Sequence, residues 1–322
     1  MTTNLADLLM EKINEKRNPC VVGLDPRISL IPAHIRETCL QEYGDTVGGT
    51  CQAILYFNCE IIDAVSDTVA IVKPQMAFYE QYGFEGVRAF QETVRYAKMK
   101  GLLVIEDAKR NDIESTALAY AMGHLGEVEL LNSMRSIYGV DMLTVTPYLG
   151  SDGIKPFIKV CKEYGKGIFI LTKTSNPSAG DFQDLKTGDD EVPLYLHIAK
   201  YISSVANELI GKKGYSPIRA VVGATYPKEA KLLREVMKTS FFLVPGYGRQ
   251  GATAQDIEPY FNQDGYGALI SSSRAVTFAY LDSESNKYPQ LDYLEFVREA
   301  AIRMRDDILS AMRRCGRIPR GW

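Results

Sequence analysis

The chain has 322 residues, 46% of them hydrophobic and 24% charged, with a formal net charge of -3. That composition belongs to a soluble globular protein with room for a large core, and it excludes a general electrostatic attraction to nucleic acid or to an anionic membrane. No stretch approaches the roughly 20 apolar residues of a membrane helix.

Residues 1–18 read as an amphipathic helix rather than a signal peptide. Leu5, Leu8, Leu9 and Ile13 fall at helical spacing and predict a buried stripe along it. Residues 20–24 form an apolar run that reads as a first strand, ended by Asp25-Pro26. A long connection with a helix near 52–65 follows, then a second strand over 70–72, ended by Lys73-Pro74. A helix over 84–100 leads to a third strand over 102–105, and a further helix is expected from about 113 to 136. Residues 142–145, 167–171, 219–222, 241–244 and 267–270 read as strands four to eight. Helices are expected over 153–164, up to about 210, over 228–238 and over 291–313. Residues 178–192 read as a long loop suited to a lid. Eight short apolar strands alternate with helices, without a linker or a composition break. They predict a single α/β domain over 1–322, an eight-stranded (β/α)8 TIM barrel with an additional N-terminal helix. A doubly wound open sheet would usually carry a G-x-G-x-x-G turn after the first strand, and none stands there.

The six cysteines form no CxxC pair, which suits reduced thiols in a cytoplasmic protein. The three histidines have no zinc-type spacing, so no metal is expected.

Chemistry gathers where the strands end. The first three end in Asp25, Lys73, then Asp107 and Lys109, with Asp112 just beyond. Side chains alternate along a strand, so Asp107 and Lys109 share a face. Neighbouring strand ends of a barrel converge on one mouth, and alternating charges there hold each other ionised. Such an array can set a carboxylate against a substrate anion and an ammonium ready to deliver a proton. A salt-bridge network that only closes the mouth is the competing reading. The last two strands end in Pro245-Gly246-Tyr247-Gly248-Arg249-Gln250-Gly251 and Ser271-Ser272-Ser273-Arg274. Their backbone N–H groups, the Gln250 amide and the Arg274 guanidinium suit a phosphate, which in this fold binds after strands seven and eight. Thr174-Ser175-Asn176-Pro177 offers hydroxyl and amide groups to a polar ring, or a helix cap. The residues alone thus describe a barrel enzyme for a phosphorylated small molecule, using Lys and Asp for proton-coupled chemistry, with no cofactor.

Asp107-Ala108-Lys109-Arg110-Asn111-Asp112-Ile113 resembles the D-x-K-x-x-D-I signature of the orotidine 5′-phosphate decarboxylases. The likeness runs through nearly the whole chain in that family's order: Gly23-Leu24-Asp25, Val72-Lys73-Pro74, Thr174-Ser175-Asn176-Pro177, the glycine-rich loop from Pro245 to Gly251, and Arg274. The D-x-K-x-x-D element is shared with hexulose-phosphate synthase relatives, whereas the full set is specific. Length and the Lys173-to-Pro177 run are similar to the longer bacterial subgroup.

The resemblance implies cofactor-independent decarboxylation of orotidine 5′-monophosphate to uridine 5′-monophosphate, the last step of de novo pyrimidine synthesis, by a homodimer. It implies that Lys109 protonates the C6 carbanion, that Asp107 sits against the departing carboxylate, and that Lys73 holds the array and touches the ribose. Asp112, with Ile113 and Thr116, would reach into the neighbouring subunit's site. Asp25 would bind a ribose hydroxyl and Ser175 the pyrimidine edge. Gln250 and Arg274 would grip the phosphate, with Pro245 lining the pocket and Gly248 allowing close approach. Arg249 stands where several short members carry a small residue. Two other readings are a metal-dependent sugar-phosphate aldolase or isomerase of the same barrel group, and a non-enzymatic binder of a phosphate ligand.

Overall fold

Eight strands are hydrogen-bonded in chain order: β1 (Cys20–Leu24), β2 (Ile71–Pro74), β3 (Leu103–Arg110), β4 (Met142–Val145), β5 (Gly167–Lys173), β6 (Ser216–Val222), β7 (Ser240–Pro245) and β8 (Ala268–Ser272). All pairs are parallel, and β8 returns to β1 to close the barrel. The helices are α1 (Leu5–Lys16), α2 (Ala33–Tyr43), α3 (Val47–Val65), α4 (Gly83–Met99), α5 (Glu114–His124), α6 (Ser151–Tyr164), α7 (Leu194–Asn207), α8 (Pro227–Val236) and α9 (Tyr293–Arg314). The computed structural model describes residues 3–189, 191–248, 253–281 and 292–322. Arg249, Gln250 and Gly251, and the expected start of the last helix at 291, lie outside the described residues. Among the described residues no helix is long and apolar enough to cross a membrane. The six cysteines are free.

Strands covered on both faces read as continuous apolar runs because each residue is buried on one side or the other. Val22, Val72, Val104, Leu143 and Ile170 point outward beneath the helices. Val21, Ile71, Ile105, Met142, Phe169, Val221, Leu243 and Leu269 fill the interior. Leu5, Leu9 and Ile13 of α1 join that interior cluster, so α1 plugs the floor at the strands' N-terminal ends. Each such buried side chain contributes about 2 kcal/mol. Leu8 is only half-buried. Two residues beyond the interior layer, the same inward register delivers Gly23, Lys73, Asp107, Thr144, Gly223, Pro245 and Ser271 to the mouth. The apolar layer is the platform and the next layer up is polar.

Three expectations are corrected. The third strand runs on to Arg110, with an irregular register between Glu106 and Arg110. The helix expected to 136 stops at His124. Gly126, a weak helix former, stands just past the C-cap Leu125, and the chain then makes a small hairpin, Val128–Glu129 against Met134–Arg135, whose turn is closed by Leu130 N–H to the Ser133 carbonyl at 2.7 Å. Residues 178–192 are not a structureless loop. They contain a helical turn, Gly180–Gln183, and a hairpin of Lys186–Thr187 with Val192–Pro193.

Candidate active site

Asp107 is the hub of the mouth. Its Oδ1 accepts from Lys109 Nζ at 2.6 Å and from Thr144 Oγ1 at 3.0 Å. Its Oδ2 accepts from Lys73 Nζ at 2.7 Å and from Gln75 Nε2 at 3.0 Å. Four donors on two oxygens leave the carboxylate fully engaged and its orientation set before any ligand arrives. Thr144 Oγ1 also accepts the Lys109 N–H at 2.9 Å, so β4 holds both ends of the Asp107–Lys109 pair. Lys109 has a φ of 50°, a left-handed conformation that costs a residue with a Cβ about 1–2 kcal/mol.

The two lysines differ in access. The Lys73 side chain is 6% exposed, and that of Lys109 is 46% exposed. Lys73 is therefore a fixed part of the wall, whereas Lys109 reaches solvent. Burial by itself would raise the Asp107 pKa, but attraction to Lys73 and Lys109 overrides it and holds the carboxyl well below the usual carboxylate range. Burial pulls the Lys73 pKa down, and attraction to Asp107 and then Asp25 more than offsets it, leaving the pKa raised. Both groups are ionised at neutral pH.

A cavity of about 310 Å³ opens beside this array. Asp25, Lys73, Gln75 and Asp107 form one wall, and Pro245 and the Ser271-to-Arg274 turn form the other. Asp25 lines the cavity, and its Oδ1 is a buried acceptor with no hydrogen-bond partner among the described residues. Gly23 lets the two walls touch, since a Cβ there would fall 1.9 Å from Ser273 Oγ. Arg274 starts a single helical turn, Arg274–Thr277, and is exposed. Gly248 has a φ of 82°, a backbone conformation that favours glycine, and among the described residues a Cβ there would meet nothing nearer than Ala275 at 3.8 Å. A larger cavity of about 830 Å³ lies near the N-terminal ends of β6 and β8, lined by Tyr215, Arg234 and Asn262. Several of its polar groups are already bonded within the protein, with the Arg234 guanidinium donating to the carbonyls of Tyr260, Met237, Ser240 and Gly267 and the Tyr215 hydroxyl donating to Asp264. The smaller cavity is the one lined by Asp25, Lys73 and Asp107.

Asp112, Ile113 and Thr116 stand apart from this cluster. Asp112 Oδ1 accepts the Ile113 N–H at 2.8 Å, and among the described residues no ion pair joins Asp112 to Lys73 or Lys109. Ile113 and Thr116 are exposed, and so are Tyr120, Leu131, Met134 and Tyr148 nearby in the chain. Ser175, half-buried, sits after β5 against Gly223 at the end of β6. The fold thus brings Asp25, Lys73, Asp107, Lys109, Pro245 and Arg274 to one mouth. Gln75 and Thr144 were not singled out from sequence. The available signal was their register, two residues beyond Lys73 and Met142 on strands already facing inward.

A closed parallel barrel with paired ammonium and carboxylate groups at the C-terminal mouth, beside a loop suited to phosphate, defines a (β/α)8-barrel enzyme. Residues 22–287 match the Orotidine 5′-phosphate decarboxylase / HUMPS family, and the chain belongs to it. The orotidine 5′-phosphate decarboxylase of Rhodopirellula baltica is 42% identical over 288 residues, covering 89% of this chain and 93% of that protein. The enzyme of the same name from Caldicellulosiruptor bescii is 38% identical over 291 residues, covering 90% of this chain and 95% of that one. The structure of Leishmania donovani OMP decarboxylase aligns with a TM-score of 0.70 at 28% identity, covering 96% of this chain and 98% of that chain.

Proposed function

We propose that this protein decarboxylates orotidine 5′-monophosphate to uridine 5′-monophosphate and carbon dioxide without a cofactor, as the last step of de novo pyrimidine synthesis. The observation that carries the reading is Asp107 held at the barrel mouth by four hydrogen bonds, from Lys73, Lys109, Gln75 and Thr144. Family membership supports it.

The chemistry follows from that array. The C6–carboxylate bond breaks, its electron pair stays on C6, and carbon dioxide leaves. The carbanion has little resonance help, so a cation fixed beside it must stabilise it and a proton must follow. Lys109, the exposed ammonium of the pair, supplies that proton from Nζ. Asp107 faces the departing carboxylate and keeps Lys109 charged. Lys73 locks Asp107 and contacts the ribose, and the unpartnered Asp25 oxygen accepts from a ribose hydroxyl. Ser175 hydrogen-bonds the pyrimidine edge. Arg274 and Gln250 bind the phosphate, Pro245 lines the pocket and Gly248 shapes the phosphate loop. Binding energy from the phosphate, remote from C6, is then available to the transition state.

In this reading residues 1–322 act as one domain in a cytoplasmic homodimer. Asp112, Ile113 and Thr116 enter the site of the partner subunit, with the exposed apolar side chains around them covered by the second copy. The test is ultraviolet absorbance of orotidine 5′-monophosphate mixed with purified protein, with and without a chelator. Chelator-insensitive conversion is expected. No conversion by folded protein, or conversion abolished by the chelator, would overturn the proposal.

A further inference from the structure

The segment between β5 and α7 is built onto the loop that carries Ser175. Gln183 closes the helical turn Gly180–Gln183, and Thr174 sets its amide in one orientation. The Thr174 N–H donates to Gln183 Oε1 at 2.9 Å, so Nε2 faces the hydroxyl and donates to Thr174 Oγ1 at 2.7 Å. The Thr174 hydroxyl passes the chain on to Asn176 Oδ1 at 2.7 Å. Ser175 lies between the two residues so tied. On its other side stands β6: an ideal Cβ on Gly223 would fall 2.7 Å from Ser175 N and Cβ, so the loop rests directly on the Gly223 backbone.

The clamping turn is anchored in its own right. Lys173, the last residue of β5 and fully buried, donates to Asp184, the neighbour of Gln183. Its ammonium also sits over the Tyr226 ring, 4.5 Å from the centroid. The Tyr226 hydroxyl donates to the Asn176 carbonyl at 3.4 Å. A loop tied at Lys173, Thr174 and Asn176 has little freedom left to lose when a ligand docks on it, which is the general route from preorganisation to affinity.

We propose that Gln183 is a positioning residue for the pyrimidine: by clamping Thr174 through both its N–H and its hydroxyl, it holds Ser175 where the edge of a polar ring meets it. This rests on the decarboxylase reading, which sets the base beside Ser175. The experiment uses the full chain. Uridine 5′-monophosphate and ribose 5-phosphate are titrated into wild type, Gln183→Ala, Gln183→Glu, Ser175→Ala and the Ser175→Ala/Gln183→Ala double variant, and kcat and KM are measured.

Gln183→Ala is expected to weaken uridine 5′-monophosphate about tenfold, the worth of one or two net hydrogen bonds, and to raise KM more than it lowers kcat. Ribose 5-phosphate, which lacks the base, should change by less than about twofold, and so should the nucleotide when Gln183→Ala is added to Ser175→Ala. Gln183→Glu keeps the acceptor for the Thr174 N–H and should recover part of the affinity. If Gln183→Ala does not fold, this near-isosteric variant carries the same comparison, with a smaller loss confined to the nucleotide. Equal losses for both ligands, no loss for either, or full additivity with Ser175→Ala would overturn the positioning role. A wild type that binds the nucleotide no better than ribose 5-phosphate and turns nothing over would instead break the decarboxylase reading, and this inference with it.

Discussion

Replacing Lys73 by Met removes one charge and keeps most of the stem. Both members of the Lys73–Asp107 pair are shielded from water. The variant leaves that carboxylate with a single ammonium, the more exposed Lys109. Breaking a buried ion pair from one side costs about 3–5 kcal/mol. Gln75 and Thr144 still donate to Asp107, which sets the expected loss near the lower limit, about 3 kcal/mol. At about 2 °C per kcal/mol for a chain of this size, the melting temperature should fall by about 6 °C.

The pH dependence separates charge from packing. The folded Asp107 pKa lies below its unfolded value, so its contribution is present above the ordinary carboxylate range and is lost as pH falls through the depressed folded value. Without Lys73 that folded value rises, so the loss on acidification is smaller and is complete at a higher pH. Lys73 has the opposite sign. Its folded pKa is raised, so its contribution is complete below its unfolded value, near pH 10, and is lost as pH rises through the folded one. The variant lacks this alkaline limb. Thermal unfolding across pH reads all three effects. The double variant Lys73→Met/Asp107→Asn should regain part of the loss, because no shielded carboxylate then depends on Lys109 alone. A single variant as stable as wild type, with an unshifted acid limb, would refute the claim that this pair stabilises the fold.

Lys109→Ala should lower turnover by about 10³-fold or more while changing unfolding free energy by less than about 1 kcal/mol, since Lys109 is half-exposed. Near-normal turnover in the absorbance assay would move the proton donor elsewhere. Arg274→Ala should cut kcat/KM by about 10- to 100-fold, the worth of hydrogen bonds to a charged group, at unchanged melting temperature. Unaltered kinetics would remove Arg274 from the site. Lys109→Ala and Asp112→Asn protomers, each inactive alone, should regain about a quarter of wild-type activity when unfolded and refolded together, because half the dimers then contain one intact site. No recovery would place Asp112 in its own chain's site or outside the chemistry.

How much was legible in the sequence differs by element. The eight strands could be read because each is an apolar run closed by polar or turn residues. The ending of α5 at His124 could not, because residues 128, 130, 131 and 134 supply apolar side chains at spacings that also suit a helix. Only the structure shows most of them unburied, Leu131 fully exposed among them. The turn around Gln183 was equally hidden, since a four-residue helix carries no periodicity and its partners lie in the strand-end loop.

The sequence by itself determined the layering of the site. Along four of the strands the inward residue changes from apolar to polar after a step of two: Ile71 precedes Lys73, Ile105 precedes Asp107, Met142 precedes Thr144 and Leu269 precedes Ser271. Tertiary structure alone decided which donors close on Asp107, that Lys109 takes a left-handed conformation, and that Asp112 is absent from its own chain's cluster. Lys73 and Thr144 lie 34 and 37 residues from Asp107. Such distances are closed by the register of hydrogen bonds between neighbouring strands, which belongs to the closed barrel and not to any local pattern of residues.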